Sequence, residues 1–447
     1  MFKLLPEPVR LKLRSSEIAR RIARGSAWSF AGAASSRVCT LIAMILLARM
    51  MGAAEFGELA MVQVTLGVAG MMAGFGLGST ATRFLARDSA IDKERAGQVL
   101  SLVQQFSALT LVAAMAVVVL LSEFLAAQVL HAEQLGAALR VGALLMGVAG
   151  ARGVQAGVFA GFERFDINAR LNVLEGVSSM LLSVALAWLY GIEGALFGLM
   201  AGPALAWAFG WIQLRRLLHK LQIRKAPREC WRQRSILTKY SLPSFLASFV
   251  SAPILWLGMT MVAREPGGYT QVALYNAAYQ WHGPLIFLPM VVLSASLPAL
   301  TQEWHSGDPA RFKRIYLYNL VFLGGVTLVP ALLLCLASVQ VMGLYGPEFR
   351  AGWPLMVLLA LAAPLHAVAK MSSTALLSMN RAWSTCGVNL LWGVTLVGVG
   401  YFAIPRFGAT GLAAAFVLAY GLVMGCTAML VLRAVRNPEM QVSELEP

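Results

Sequence analysis

The chain has 447 residues, of which 58% are hydrophobic and 13% charged, and its mean hydropathy of +0.70 excludes an ordinary soluble domain. A formal net charge of +15 on a soluble domain would suggest nucleic-acid binding, but here the basic residues are concentrated in short segments between long apolar runs. The sequence therefore predicts an all-α polytopic membrane protein with no nucleic-acid partner.

The apolar runs each contain about twenty residues or more, enough for a helix to cross a hydrocarbon core of roughly 30 Å. In chain order they predict twelve transmembrane helices, over residues 26–48, 57–78, 98–125, 136–162, 169–190, 194–214, 240–263, 272–299, 316–343, 352–378, 385–404 and 409–432. Most Lys and Arg lie in alternate connecting segments, beginning with the N-terminus, which predicts that both termini are cytoplasmic. Basic residues at that interface also suggest anionic membrane lipids as partners.

This pattern divides the chain into five parts. They are a cytoplasmic amphipathic N-terminus (1–25), an N-lobe (26–214), a basic cytoplasmic linker (215–239), a C-lobe (240–432) and a cytoplasmic tail (433–447). Each lobe would contain six helices, an even number, so both lobes enter the membrane from the same side. The lobes are therefore expected to be parallel repeats rather than inverted ones.

An internal repeat supports this division. Residues 164–198 reappear without gaps, 217 positions later, as residues 381–415. The identical pairs include Arg164 and Arg381, Asn172 and Asn389, Leu174 and Leu391, Gly191 and Gly408, and Gly194 and Gly411. Repeats of this kind in membrane proteins usually build a transport path between them. The copies have diverged in charge, because Glu175 aligns with Trp392 and Gly153 with Lys370. The function is expected where the copies differ.

Ionisable groups inside the predicted helices point to the substrate. Such groups cost about 2.5–3.5 kcal/mol each at a helix centre, yet the spans contain Arg37, Arg140, Arg152 and Lys370 against one clear acid, Glu175. A cavity lined by guanidinium and ammonium groups suits phosphate or another anion. Arg140 lies near a helix end, where it can simply reach the interface. Glu175 can reach Arg152, which leaves both a structural ion pair and a ligand-binding role open.

Polar and aromatic residues also cluster at the start of the eighth span. Asn276, Gln280 and Trp281 offer hydrogen bonds and a ring face to a sugar, although an interfacial aromatic belt explains the tryptophan equally well. His282, like His366, could titrate near neutral pH, so His282 and Glu175 are candidates for coupling to a proton or Na⁺. A lone membrane histidine is more often just hydrogen-bonded. No spacing indicates a metal site or another cofactor.

Several short motifs resemble a known family. The segment Leu46-Leu47-Ala48-Arg49-Met50-Met51-Gly52-Ala53-Ala54-Glu55-Phe56-Gly57 resembles the R-x-L-G-P-x-x-F-G motif of polysaccharide flippases, with Met51-Gly52-Ala53 in place of Leu-Gly-Pro. Phe75-Gly76-Leu77-Gly78 followed by Thr82-Arg83-Phe84-Leu85 is similar to its continuation. Residues 161–165 and 379–381 resemble its short inner turns. The family is the Wzx-type oligosaccharide flippases of the multidrug/oligosaccharidyl-lipid/polysaccharide (MOP) exporter superfamily, and the resemblance covers nearly the whole chain.

The resemblance implies a V-shaped, MATE-like pair of six-helix lobes that works by alternating access. The implied substrate is a polyprenyl-diphosphate-linked oligosaccharide, moved from the cytoplasmic to the periplasmic leaflet of a bacterial inner membrane for cell-surface polysaccharides such as O-antigen. Polysaccharide polymerases or ligases would be membrane partners. Lipid II flippases usually have fourteen helices, so a peptidoglycan precursor is less expected. The family's cationic cavity maps to Arg37, Arg152 and Lys370, with Arg49 and Arg264 at the outer rim and Arg140 as a further candidate.

Three other functions are alternatives to a flippase. A MATE-like cation antiporter predicts acidic residues deep in one lobe, and Glu175 is the one available. A membrane glycan ligase or polymerase needs a large outer loop and paired catalytic groups, neither of which the sequence contains, so an enzyme is not expected. A scaffold without transport activity leaves the arginines inside the spans unexplained.

Overall fold

The structure is a computed structural model that describes residues 17–89, 91–248, 251–306 and 308–436. These residues are nearly all helical. The helices are α1 (Glu17–Gly74), α2 (Leu77–Asp88), α3 (Lys93–Phe124), α4 (Leu135–Gly161), α5 (Phe165–Leu221), α6 (Leu242–Ser248), α7 (Ser251–Ala263), α8 (Gly268–His305), α9 (Pro309–Leu336), α10 (Ser338–Gly343), α11 (Trp353–Ser378), α12 (Ala382–Phe407) and α13 (Ala409–Arg436). Short π or 3₁₀ turns lie at Leu125–Val129, Cys230–Gln233, Leu237–Ser241 and Pro347–Gly352.

Nine helical runs in the described ranges are long and apolar enough to cross a membrane. Two of them, Arg24–Asp88 and Phe165–Leu221, contain 65 and 57 residues. At 1.5 Å per residue, the shorter is about 85 Å long, which is ample for two crossings. The predicted class, an all-α polytopic membrane protein, is confirmed. The exact count of twelve spans and their arrangement in two lobes stay predictions.

The chain changes direction at glycines where the sequence predicts loops. Residues 49–56, predicted to connect two spans, are helical in α1 except at Gly52, which has φ 76° and ψ 177°. Gly191 similarly interrupts α5 with φ 56°. Because glycine has no Cβ, it adopts positive φ without strain, so one residue redirects the helix and no longer loop is needed.

The predicted duplication is visible in the backbone angles. Arg164 has φ −90° and ψ 57°, and its counterpart Arg381 has φ −95° and ψ 56°. Gly191 has φ 56° and ψ −136°, and Gly408 has φ 55° and ψ −134°. Helix starts and helix breaks therefore recur at the same places in both copies. The repeat is structural as well as sequential.

The described chain forms two compact units. The N-terminal unit contains residues 17–43, Leu66–Ala126 and Ala132–Leu246. Its core is an apolar cluster from α2, α3, α4 and α5, which includes Leu77, Val99, Phe159 and Leu214. The C-terminal unit contains Met44–Thr65, Ala127–His131 and residues 251–436. It thus includes two segments that come from much earlier in the chain.

The basic segment after α5 is packed onto the N-terminal unit rather than solvated throughout. Cys230 and Ile236 belong to the buried core. The Lys225 ammonium donates to Gln104 at 2.7 Å and lies 4.1 Å from the Trp211 ring centroid. Burial, followed by the nearby charge of Arg215, lowers the pKa of Lys225. This segment is therefore part of the fold of the N-terminal unit.

Helix α11 lies at the centre of the C-terminal unit. In its most apolar stretch 67% of the residues are buried, which is a larger share than in any other described candidate span. Helices α8, α9 and α13 pack around it, and α12 packs mainly on α13. Polar side chains on α11 therefore face protein more often than lipid, which makes this helix a suitable position for a binding group.

Candidate functional site

Four of the predicted site residues lie in two clusters, one in each unit. In the N-terminal unit, Arg152 of α4 is buried, with 3% of its side chain exposed. Its Nη2 donates to Asn168 Oδ1 at 3.0 Å and to Asn172 Oδ1 at 2.8 Å. Its Nε lies 3.3 Å from Glu175 Oε2. The prediction that Glu175 reaches Arg152 is therefore confirmed, and the structure adds two asparagines that the sequence did not assign.

Local geometry explains how these residues meet. Helices α4 and α5 are joined by a short turn in which Glu163 has φ 55°. Asn168, Asn172 and Glu175 follow at intervals of four and three residues, so they share one face of α5. That face packs on α4 at the level of Arg152. The signal that could have found the asparagines is this helical spacing relative to Glu175.

The Arg152 guanidinium is held in place by α5, but not all of its N–H groups have a hydrogen-bond partner. Its Nη1 is buried and has no hydrogen-bond partner among the described residues. Glu175 is 29% exposed, so the cluster is open on the carboxylate side. A buried guanidinium with an unpaired N–H and an exchangeable counter-ion can donate a hydrogen bond to an anionic oxygen. Such charge-assisted hydrogen bonds to phosphate are strong.

The cluster in the C-terminal unit surrounds Lys370 of α11. A small cavity of about 30 Å³ is bordered by Lys370, His366, Asn389, Trp392 and Tyr420, together with Ser251, Ala369, Ser373 and Val423. This volume has room for roughly one or two water molecules. Lys370 is exposed at the edge of the cavity, whereas His366 is buried. The buried indole nitrogen of Trp392 has no hydrogen-bond acceptor among the described residues.

The predicted coupling residue His282 lies in the same cluster. Its Nδ1 is 3.1 Å from the Leu359 carbonyl oxygen, and its Nε2 is 3.1 Å from His366 Nδ1. The Tyr420 hydroxyl is 3.4 Å from His366 Nε2. The two imidazole rings are nearly parallel, with centroids 5.4 Å apart and planes at 10°. Both histidines are candidates from the sequence alone, but they are 84 positions apart and nothing in the sequence indicated that they touch.

The three residues predicted to contact a sugar have different surroundings. The Gln280 amide donates to Asn276 Oδ1 at 2.8 Å, and Tyr345 donates to Gln280 at 3.4 Å, so both amides have a partner within the protein. Trp281 lies instead along an open apolar groove bordered by Pro284 and Pro330. Its side chain also lies next to the Tyr345 hydroxyl, which connects it with the Gln280 amide. The sugar-binding role of these residues stays a prediction.

The two predicted rim arginines bind backbone carbonyls. Arg49 Nε donates to the Leu344 oxygen, and Arg264 Nη2 donates to the Val129 oxygen at 3.3 Å. Beside Arg49, the Glu348 carboxylate accepts the Ala53 N–H at 3.1 Å. All these contacts lie within the C-terminal unit. In this structure the rim arginines fix Met44–Thr65 and Ala127–His131 to the rest of that unit.

The remaining candidates lie in the N-terminal unit and are both exposed. Arg140 is 3.5 Å from Glu123 in a surface ion pair, which fits the interfacial position that the sequence left open. Arg37 follows Ser36, and a side chain on Gly176 of α5 would collide with the Ser36 backbone. The turn of α1 that carries Arg37 is therefore next to the turn of α5 that carries Glu175.

Known proteins share this architecture. A family model described as "Polysaccharide biosynthesis protein" matches residues 22–304. The "EPS I polysaccharide export inner membrane protein EpsE" of Ralstonia nicotianae is 25% identical over 393 residues, covering 87% of this chain and 88% of the relative.

Two solved structures illustrate the fold. A multidrug resistance MATE family transporter of the MOP superfamily, in an inward-facing conformation, has a TM-score of 0.76 at 14% identity, with 91% of this chain and 96% of that chain covered. The lipid II flippase MurJ, in an inward closed conformation, has a TM-score of 0.70 at 13% identity, with 93% and 90% covered. At these identities the similarity establishes the fold.

Proposed function

The chain belongs to the polysaccharide biosynthesis protein family, and from this premise we propose that it is a flippase for a lipid-linked oligosaccharide. The substrate would be a polyprenyl-diphosphate-linked glycan that moves from the cytoplasmic to the periplasmic leaflet of a bacterial inner membrane. The observation that best supports this is that each unit has a cation on a tightly packed helix, the buried Arg152 in one and Lys370, at the edge of a small cavity, in the other. Neither cluster contains the paired carboxylates that a cation antiporter would use.

The mechanism follows from the chemistry of the substrate. Its diphosphate is the group that guanidinium and ammonium donors bind most strongly. Its glycan has many hydroxyls, which would lose their hydrogen bonds in hydrocarbon. We therefore assign the diphosphate to the cationic groups and the glycan to a water-filled path, while the polyprenyl tail stays in the bilayer. This division requires binding and movement, and no covalent step.

Within this scheme Arg152 exchanges partners. Asn168 and Asn172 hold its Nη2, while Nη1 has no partner among the described side chains and backbone groups. An arriving diphosphate would take Nη1 and compete with Glu175 for Nε. The departing substrate would restore the ion pair. Glu175 would thus act as an internal substitute that keeps the guanidinium from being an unpaired buried charge.

Other predicted features enter as parts of the same proposal. Arg37 would meet the substrate near Glu175, and Arg49 and Arg264 would act at the periplasmic rim. Both termini would be cytoplasmic. Anionic lipids would contact the basic segments, and a polysaccharide polymerase or ligase would receive the flipped substrate.

Depletion of the protein tests the proposal directly. We expect a lipid-linked oligosaccharide to accumulate on the cytoplasmic leaflet, detected as glycan that a membrane-impermeant reagent labels in inverted vesicles but not in spheroplasts. Wild-type protein and the matched control Arg140→Ala should both reverse the accumulation. Absence of any accumulated intermediate, with sensitivity to cationic compounds instead, would favour the MATE-like antiporter and contradict the flippase.

A further inference from the structure

His282, His366 and Tyr420 form a chain of hydrogen bonds, and the Leu359 carbonyl at one end determines which atoms donate. The Leu359 carbonyl can only accept, so His282 Nδ1 must carry a proton. In a neutral His282, Nε2 then accepts, and His366 Nδ1 donates to it. His366 Nε2 in turn accepts from the Tyr420 hydroxyl. Every donor in the neutral chain therefore points toward Leu359, and both ring tautomers are fixed.

An added proton can enter this chain at one position. Because the other three ring nitrogens are already protonated or bonded to an N–H, the free position is His366 Nε2, reached when the Tyr420 hydroxyl turns away. The Nδ1 proton of His366 can then move across the 3.1 Å contact to His282 Nε2, so the positive charge can lie on either ring. The pair thus holds a single extra proton.

The surroundings of the pair do not favour that charge. The titratable side chains that face it are Lys370 from α11, Tyr275 and Tyr279 from α8, and Tyr420 from α13. Helix α12 contributes the neutral Trp392, α9 contributes Tyr316 bonded to Ser372, and α7 has no ionisable residue. None of these side chains is a carboxylate. A protonated pair would be a buried cation one helical turn from a second cation, which is costly unless an anion is near.

The adjoining cavity offers a place for such an anion. Lys370, Asn389 and Trp392 bring ammonium, amide and indole donors to its lining. The Trp392 N–H is buried and finds no acceptor in the described part of the chain. Buried donors without acceptors are rare, because each costs about 1–3 kcal/mol. An anionic oxygen at the edge of the cavity would satisfy them, and one or two waters inside could connect it to His366.

We propose that the His282–His366 pair is a proton-binding site linked to an anion site at Lys370. When a diphosphate oxygen binds beside Lys370, Asn389 and Trp392, the pair takes up one proton from solvent, and no covalent bond changes. The link is reciprocal, so protonation of the pair strengthens anion binding by the same factor. This inference rests on the proposed function only in naming diphosphate as the anion.

Calorimetry on the purified full-length protein tests it. Geranylgeranyl diphosphate is titrated at neutral pH in two buffers of different protonation enthalpy, which gives the number of protons taken up per bound ligand. We expect the wild type to take up more protons than His366→Gln, by up to one per ligand. The affinity of H366Q for the probe should fall roughly tenfold at mildly acidic pH, within the usual range for coupled sites.

Three further variants make the result specific. His305→Gln removes an exposed histidine at the end of α8 and should match the wild type. Tyr420→Phe should retain proton uptake, because both rings remain. Lys370→Met should lose probe binding and the linked uptake while both histidines are intact, which covers the case that H366Q does not fold. Equal proton uptake in wild type and H366Q overturns the proposal.

Two other ligands separate the possible sources of the anion. Inorganic diphosphate should bind more weakly but show the same difference in proton uptake between the wild type and H366Q, because the cavity recognises the headgroup. Uptake seen with phosphatidylglycerol but with neither diphosphate would identify a membrane-lipid site and overturn the proposal. If proton uptake fails while depleted cells still accumulate the lipid-linked intermediate, this inference fails and the flippase function stands. Proton uptake by the purified protein, with no lipid-linked intermediate accumulating in depleted cells, would support this inference and contradict the flippase function.

Discussion

The two copies of the repeat share backbone geometry but differ in whether their cation has an acidic partner. At the repeat offset, Arg152 corresponds to Ala369, next to Lys370, and Asn172 corresponds to Asn389, so each copy keeps a cation and an amide. The third position differs. Glu175 neutralises Arg152 in the first copy, whereas Trp392 replaces the acid in the second.

This difference assigns a different task to each site. The first cation has an internal counter-ion, so a ligand must displace a carboxylate that is already bound. The second cation has no ion pair with any described residue, and its neighbour His366 adds the capacity for more positive charge. Under the proposed function, the first site would exchange one anion for another, and the second would gain positive charge as the ligand arrives.

The largest expected effect comes from removing the first cation. Arg152→Ala should abolish glycan export and also destabilise the protein, because breaking a buried ion pair leaves Glu175 uncompensated and costs about 3–5 kcal/mol. The double variant Arg152→Ala/Glu175→Ala should recover most of the thermal stability in detergent but no export. Recovery of export by the double variant would show that the guanidinium does not bind substrate.

Arg37→Ala should separate function from stability. The side chain is exposed on α1, so its loss should change the melting temperature little. Export should nevertheless be lost, because Arg37 lies beside the turn that carries Glu175. Complementation of a depletion strain, with membrane insertion verified by quantitative blotting, measures both properties. Normal export in cells that carry this variant would remove Arg37 from the site.

Placing the acid of the first copy in the second copy tests how the two sites differ. Trp392→Glu gives Lys370 the acid that Arg152 already has. Because the carboxylate competes with the ligand, we expect geranylgeranyl diphosphate to bind roughly tenfold more weakly to this variant, by about 1.4 kcal/mol. Trp392→Gln, which adds a polar group without charge, is the matched control. Equal affinity in both variants would mean that Lys370 does not contact the anion.

The smallest effect is expected at Arg140. Its ion pair with Glu123 is exposed on both sides, so screening by water and salt leaves it worth less than about 0.5 kcal/mol. Arg140→Ala should therefore export glycan and unfold like the wild type. Loss of export in this variant, with its expression unchanged, would place Arg140 in the substrate path.

The sequence predicted what depends on local pattern. Apolar runs identified the helices, and the matched glycines Gly191 and Gly408 marked breaks that proved to have the same angles. The Arg152–Glu175 pair was within reach of the same reasoning, because a single short turn joins α4 to α5. Residues 49–56 were predicted as a loop, because the pattern of apolar runs does not show that one glycine can kink a continuous helix.

The contacts that the sequence could not predict join distant segments. His282 and His366 lie on different helices, and their hydrogen bond depends on how α8 packs against α11. The same is true of Arg49 and Arg264, whose backbone acceptors lie 295 and 135 residues away. Side-chain type indicates what such residues can bind, but tertiary packing decides which partner they meet.

The membership of Met44–Thr65 in the C-terminal unit has a practical consequence for dissecting this protein. A cut in the segment after α5 separates the two copies of the repeat in sequence, but it does not separate the two units. A C-terminal fragment made in this way would lack Phe56, whose ring packs against Tyr345 and Phe349. It would also leave the carbonyl that Arg49 binds without its partner. Fragments of this protein should therefore be co-expressed, since the second copy of the repeat lacks two segments that the C-terminal unit requires.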